Sequence, residues 1–290
     1  MDIVDYTKRK EIERIQEKYG DLNLIDMLHK FLVEEDQKSQ QLRYEQGRIG
    51  KFYPSSVGQC KRKITYQMMG YPGKPKEGRN VLILDNGTSF HNRMEEYFDR
   101  MGIMIAPELK LKSEELRISG RSDAIIWNYM KKTEGPIEGD QMIKLYAPQY
   151  DEEGKEMEEQ KLIYEGWASD VLIVEFKSAG NKSYEDYTPK TKPQKKHEMQ
   201  LQLYFYLTGI RAGMVYYENK NTQAQKYYYV EYNQSIVDEI IADIRFCIQH
   251  LEAGTLPERE FAPTSFDCRY CDFRDICHPV MNPFNLDEII

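Results

Sequence analysis

Three short stretches of the sequence carry residues whose types and spacing suit one chemistry. Gly120-Arg-Ser-Asp123 opens an apolar stretch, and Val174-Glu175-Phe-Lys177 closes another. Side chains alternate faces along a strand, so Glu175 and Lys177 project from the same side. His197, Gln200 and Tyr204 follow at offsets of three, four and seven, one stripe along a helix. Upstream, His91 shares a helical face with Met94, Glu95 and Phe98. Asp123 and Glu175 are the oxygen ligands that Mg²⁺ or Mn²⁺ takes. Such an ion lowers the pKa of a bound water and polarises a phosphate. Lys177 would orient that water or neutralise the developing charge, and Gln200 and Tyr204 would position the backbone or the water. An imidazole from His91 would favour Mn²⁺ over Mg²⁺. Each stretch alone has an ordinary structural explanation. Together, in this order, they point to metal-assisted phosphodiester cleavage. Asp170, just before the Glu-x-Lys strand, is a rival carboxylate; it is expected in a hairpin turn, with Asp123 kept as the ligand.

The five cysteines are a second constellation. Cys268-x-x-Cys271-x5-Cys277 is clustered, and Cys60 lies far upstream. Four thiolates suit an iron–sulfur cluster or a structural zinc, the latter with His278 able to replace the distant Cys60. So few cysteines, so placed, are no disulfide scaffold. Cys247 falls among Ile240, Ile244, Ile248 and Leu251 on a helix face and reads as a small buried hydrophobe.

Several elements must position these groups. Residues 7–46 have helical periodicity, with Leu24, Ile25, Leu28, Phe31 and Leu32 on one stripe. Further helices are expected from Ser55 to near Gly70, from Thr88 to Met101, from Pro193 to before Gly209, and after an Asn233 cap. Strands are expected at Glu108–Ser113, Arg117–Trp127, Val171–Phe176, Ala212–Glu218 and Gln225–Glu231. Ile143–Tyr146 and Leu162–Trp167 would pair as a hairpin across residues 151–154. The order gives a mixed α/β domain with helical additions. It divides into an N-terminal helical extension (1–50), a core (51–262, with an insert at about 131–166), and a cysteine-rich segment (263–290) packed with Cys60.

The net charge of −8 speaks against nucleic acid, but its distribution does not. Lys51 to Arg79 holds seven basic residues and one acid, interleaved with Tyr53, Tyr66 and Tyr71, which suits phosphate contact. Glu134 to Glu165 holds ten acids and three lysines, so the insert supplies nearly the whole acidic excess and is expected to be a solvated face. That insert, or residues 1–50, would meet a protein partner. No apolar run approaches a membrane span and the first residues lack a signal-peptide core, so a cytoplasmic location is expected.

The series His91 … Gly-x-x-Asp123 … Glu175-x-Lys177 … Gln200-x-x-x-Tyr204 resembles the PD-(D/E)XK nuclease superfamily. It is most similar to the RecB-type branch, which includes CRISPR-associated iron–sulfur exonucleases and phage-encoded relatives. The resemblance spans roughly residues 50–280 and implies a restriction-endonuclease-like core. It implies catalytic roles for Asp123, Glu175 and Lys177, metal binding by His91, Asp123 and Glu175, and a supporting Gln200/Tyr204 helix. It also implies an iron–sulfur cluster on Cys60, Cys268, Cys271 and Cys277. The implied function is a metal-dependent DNA exonuclease acting on single strands or duplex ends, in replication, recombination, repair or spacer processing. The alternatives are a non-catalytic DNA-binding or scaffold subunit and a structure-selective endonuclease. The 52 residues from Asp123 to Glu175 depart from the family, where a short hairpin is usual; the acidic insert accounts for them.

Overall fold

A computed structural model describes residues 3–45, 49–132, 135–153, 155–188 and 190–279. The chain forms two compact units, residues 1–47 with 74–86, and residues 48–73 with 87–290. In the smaller unit the expected single helix is two, α1 (Ile3–Tyr19) and α2 (Leu24–Glu45). The break has a local cause. Gly20 takes φ +58°, and the Asn23 side chain accepts from the amides of Ile25 and Asp26, starting α2 afresh. Leu24 and Ile25 are 79% and 66% exposed.

In the larger unit, α3 (Lys61–Met68) precedes α4 (Gly78–Arg100), whose first turns belong to the smaller unit. The central sheet has the order β1-β4-β7-β8-β9. It comprises β1 (Met104–Pro107), β4 (Ala124–Trp127), β7 (Val171–Ala179), β8 (Ala212–Asn219) and β9 (Gln225–Glu231). Only β7 and β8 run parallel, so the sheet is mixed as expected. Two side hairpins pair β2 (Lys110–Ser113) with β3 (Ile118–Arg121), and β5 (Met142–Tyr150) with β6 (Glu156–Trp167). The chain then adds α5 (Asn181–Tyr187), α6 (Lys195–Thr208), α7 (Gln234–Glu252) and the single turns α8 (Phe266–Arg269) and α9 (Arg274–Cys277).

β7 is apolar without alternation because both of its faces are covered. Leu172, Val174 and Phe176 meet Phe90 and Met94 of α4. Ile173 meets Leu201, Tyr204 and Phe205 of α6. α6 is in turn covered on its far side, where Met199 and Leu203 meet Ile64, Met68, Ile240, Ile244 and Cys247. Hence α6 is buried almost all round, and Cys247 is the small core residue expected. α6 stops at Gly209, and Asn233 caps α7 by accepting from the amides of Ser235 and Ile236.

Three sequence expectations are corrected. The stretch Arg117–Trp127 is two strands: the chain leaves the β2–β3 hairpin at Ser122 and Asp123 to join the main sheet. Gly120 is required just before this turn, because a Cβ there would lie 2.5 Å from Pro54 Cδ. β1 and α5 were not anticipated. The acidic insert is a hairpin, but its base is not surface: Ile143, Leu145 and Tyr164 are buried in the core. No helix among the described residues is long and apolar enough to cross a membrane.

Candidate active site

The geometry begins where β4 runs out. The antiparallel ladder ends at the Ala124–Val174 pair, while β7 continues to Ala179 on its partnership with β8. The amide of Phe176 has therefore lost its β4 partner, and Asp123 takes its place: Phe176 N donates to Asp123 Oδ2 at 2.7 Å. The diverging strands leave a gap, and Glu175 and Lys177 stand on the β7 side of it.

Asp123 Oδ1 lies 3.4 Å from Nδ1 of His91, which α4 brings to the gap. Burial works against the His91 imidazolium, but the bond to Asp123 and its charge outweigh it, and its pKa is raised. Glu175 is fully buried and ion-paired with Lys177 through Oε1. Its Oε2 is buried with no hydrogen-bond partner. Burial, then the neighbouring Asp123, pushes the Glu175 carboxyl above the usual range, because two close carboxylates resist sharing low-dielectric space. Burial disfavours the Lys177 ammonium too, but Glu175 and Asp123 outweigh that and keep it charged.

α6 locks this arrangement. Tyr204 Oη donates to the carbonyl of Arg121 at 2.7 Å, and Gln200 Nε2 donates to the same hydroxyl at 2.9 Å. The tie grips the backbone two residues before Asp123. His197, on the same helix, hydrogen-bonds Tyr217 Oη at 2.8 Å; burial, then Lys177, drives its pKa down to about 2, so it stays neutral. It is a packing residue. Asp170 pairs with Lys131 at the opposite end of β7 and is no rival for the site.

Sequence reasoning missed a carboxylate here. Glu95, one turn beyond His91, has a buried Oε1 with no partner, and its pKa is raised to about 7 by burial, then by Glu108 and Asp123. The signal was its place on the His91 face of α4.

Among the described residues no three His, Cys, Asp or Glu side chains converge as a finished metal cage. The donors nonetheless fit a hard divalent ion. Glu175 Oε2 is a buried oxygen that nothing else satisfies, and Asp123 and His91 stand beside one another.

The cysteines gather elsewhere. Cys60, Cys268, Cys271 and Cys277, with His278, line one cavity of about 300 Å³, and all four thiols are free. Cys268 Sγ lies 3.7 Å from His278 Nε2. Burial pushes the Cys60 thiol up to about 11, so it becomes a ligand only when a metal displaces its proton. Cys60 and the C-terminal three thus line the same cavity, and their sulfurs are not closed into a cage.

Comparison with known proteins bears on this geometry directly. Residues 162–278 match the family model of the PD-(D/E)XK nuclease superfamily. The match takes in Glu175, Lys177, Gln200, Tyr204, Cys268, Cys271 and Cys277, and leaves His91, Asp123 and Cys60 outside it. No curated protein matches the sequence. Among solved structures, that of SSO0001 is 16% identical with a TM-score of 0.46, covering 90% of this chain and 98% of its own. That of an alkaline exonuclease, LHK-Exo from Laribacter hongkongensis, is 11% identical with a TM-score of 0.44, covering 72% and 91%.

Proposed function

We propose that this chain is a metal-dependent nuclease that hydrolyses phosphodiester bonds in DNA, from strand ends. The observation that carries the reading is the unpartnered, buried Oε2 of Glu175 beside Asp123, with the Lys177 ammonium on the same strand face. A core acid left in that state is a liability for folding and an asset only for binding a cation or a water.

His91, Asp123 and Glu175 would hold Mg²⁺ or Mn²⁺, which when bound supplies a more acidic water and a polarised phosphate. Lys177 is placed to steady that water and to meet the negative charge that builds on the phosphoryl oxygens. Hydrolysis adds water across a P–O bond, so one proton must leave the nucleophile and one must reach the departing oxygen. The carboxylates at hand can accept the first, Lys177 staying an ammonium, and a water can supply the second. Tyr204 and Gln200 hold the Asp123 segment still while this happens. The cysteine cavity would hold a structural iron–sulfur cluster through Cys60, Cys268, Cys271 and Cys277, with zinc as the other occupant its thiols accept. Work in replication, recombination, repair or spacer processing, RecB-type kinship, a phage origin and a cytoplasmic setting extend the same reading. The exposed Leu24 and Ile25 of α2 suit a protein partner.

The test is cleavage of labelled linear DNA against a covalently closed circle, with Mg²⁺, Mn²⁺ or EDTA. Linear DNA is expected to be degraded in either metal and the circle spared. Glu175→Gln and Lys177→Ala are expected to lose cleavage while still binding DNA. Turnover that survives exhaustive chelation, or near-normal turnover in either variant, would overturn the reading.

A further inference from the structure

The C-terminal segment leaves two large aromatic rings in water. Phe266 is 76% exposed and Tyr270 69%, one helical turn apart, with ring centroids at 5.1 Å and planes tilted by 55°. Other aromatics of the same cavity are treated differently: Tyr66 and Phe273 are buried and stacked at 5.3 Å, so the local packing can cover rings. The exposed pair forms the outer rim of the cysteine cavity.

The charge around the rim is lopsided. Arg62, Lys63, Lys196 and Arg274 line the cavity against a single acid, Asp267. Arg62 is engaged, donating to the Pro257 carbonyl at 2.6 Å. Lys63 and Lys196 make no ion pair among the described residues. Much of the Lys196 side chain is solvent-exposed, yet its ammonium is pushed below the usual range by surrounding protein, then by Lys177 and Lys63. Lys196 therefore feels both the active-site lysine and the cavity lysine. Lys63 and Lys196 line the cavity with the rings, and Lys196 lies in the first turn of α6, one turn before Gln200 on the helix that reaches the active site.

We infer that the Phe266–Tyr270 pair is a stacking platform for single-stranded DNA, whose phosphates then follow Lys63 and Lys196 toward the active site. Every base has a π face, so an exposed ring binds bases without regard to sequence, and unpaired lysines complement phosphates. The two rings are too close for a base to slide between them; bases stack on their outer faces. Duplex DNA keeps its bases paired and stacked, so the platform selects single strands. A protein segment over the rings would account for their exposure, but it would give no reason for the unpaired lysines lining the same cavity. The inference rests on the nuclease reading, and the experiment separates their failures.

Full-length Glu175→Gln protein would be titrated against fluorescent oligo(dT) and against a blunt duplex of equal length, by anisotropy. Adding Phe266→Ala with Tyr270→Ala is expected to weaken oligo(dT) binding about five-fold or more. Duplex affinity should change less than about two-fold, and metal content should be unchanged. Phe266→Trp with Tyr270→Trp should retain oligo(dT) affinity. Lys63→Ala with Lys196→Ala should reduce the salt slope of oligo(dT) binding by about 1.4, the value for two phosphate contacts on a single strand. Unchanged oligo(dT) affinity in the double alanine variant would overturn the platform while leaving the nuclease reading intact. So would equal losses on both DNAs together with lost metal, since the rings would then be packing for the cavity. Parent protein that neither cleaves nor binds any DNA would remove the nuclease reading and the platform with it.

Discussion

Tyr204→Phe tests whether α6 sets the active site or merely packs beneath it. The substitution keeps the ring and removes one oxygen, so no cavity forms. It deletes the bond to the Arg121 carbonyl at 2.7 Å and the bond from Gln200 Nε2 at 2.9 Å. Gln200 is buried and is left with a stranded amide, whereas the Arg121 carbonyl keeps a route to water. The expected destabilisation is about 1–3 kcal/mol, below the sum for two fully stranded groups. For a unit of this size that lowers Tm by about 2–12 °C. Arg121 lies two residues before Asp123, and a carboxylate misplaced by about 1 Å lowers turnover about a hundredfold. We therefore expect kcat to fall about 10–100-fold with KM nearly unchanged, since Tyr204 meets no phosphate. Thermal unfolding and steady-state cleavage of end-labelled DNA measure both. A companion variant, Tyr204→Phe with Gln200→Leu, strands no amide and should recover much of the Tm without recovering kcat. Were Tm to move less than about 1 °C and kcat less than two-fold, the tie to Arg121 would not be what holds Asp123. Were the double variant to regain kcat along with Tm, the tie would act through stability alone.

Other outcomes follow from the same geometry. Glu95 is raised from 4.5 to about 7 in the folded chain, so between those values the folded state holds a proton that the unfolded state releases, and stability falls as pH rises. Glu95→Gln should flatten that decline in the Tm–pH profile of metal-free protein, and an unchanged profile would remove Glu95 from the site's electrostatics. Cys60→Ser or Cys271→Ser should lower Tm and bound metal, whereas Cys247→Ser, not itself among the residues lining the cavity, should retain the metal. Iron with acid-labile sulfide in protein purified without oxygen would identify the cluster; stoichiometric zinc without iron would exclude it. Replacing residues 148–159 by a tight turn spares buried Ile143, Leu145 and Tyr164 and, among the described residues, the ion pairs it breaks to other elements are the half-exposed ones of Glu156 with Lys110 and Lys112. Tm should fall by less than about 3 °C, and an unfolded product would show that the hairpin tip belongs to the core.

The legible parts of the fold were those with strong local codes. β7 announced itself as a short β-branched run, α7 by its Ile spacing and its Asn233 cap, and the end of α6 by Gly209. The site's strand residues were readable because a period of two places Glu175 and Lys177 on one face whatever surrounds them. What stayed hidden depended on tertiary context. Ser122 and Asp123 look like strand interior, and only the change of sheet between β3 and β4 makes them a turn. The periodicity of α1 and α2 runs on across Gly20, and the cap at Asn23 decides against it. Glu95 was legible as a face but not as an unpartnered acid, because its orphaned oxygen follows from what α4 packs against. The acidic hairpin read as surface because charge dominates its composition, while three buried residues at its base tie it to the core.

Much of what is costly in this fold is concentrated in one place. Asp123 stands close enough to Glu175 and to Glu95 to help raise the pKa of each, and both of those acids keep a buried oxygen without a partner. The Lys177 ammonium faces Glu175, and the His91 imidazole stands beside Asp123. A chain selected for stability alone would have paired or replaced those acids, since a buried unpaired carboxylate costs several kcal/mol at neutral pH. The surrounding structure instead holds them in place: Phe176 N fixes Asp123, Tyr204 fixes the backbone before it, and β8 holds β7 straight beyond the end of β4. Rigid support around unsatisfied anions is the arrangement expected where the missing partner is a cation supplied from solution, and on the proposed reading the chemistry lies at the gap between β4 and β7.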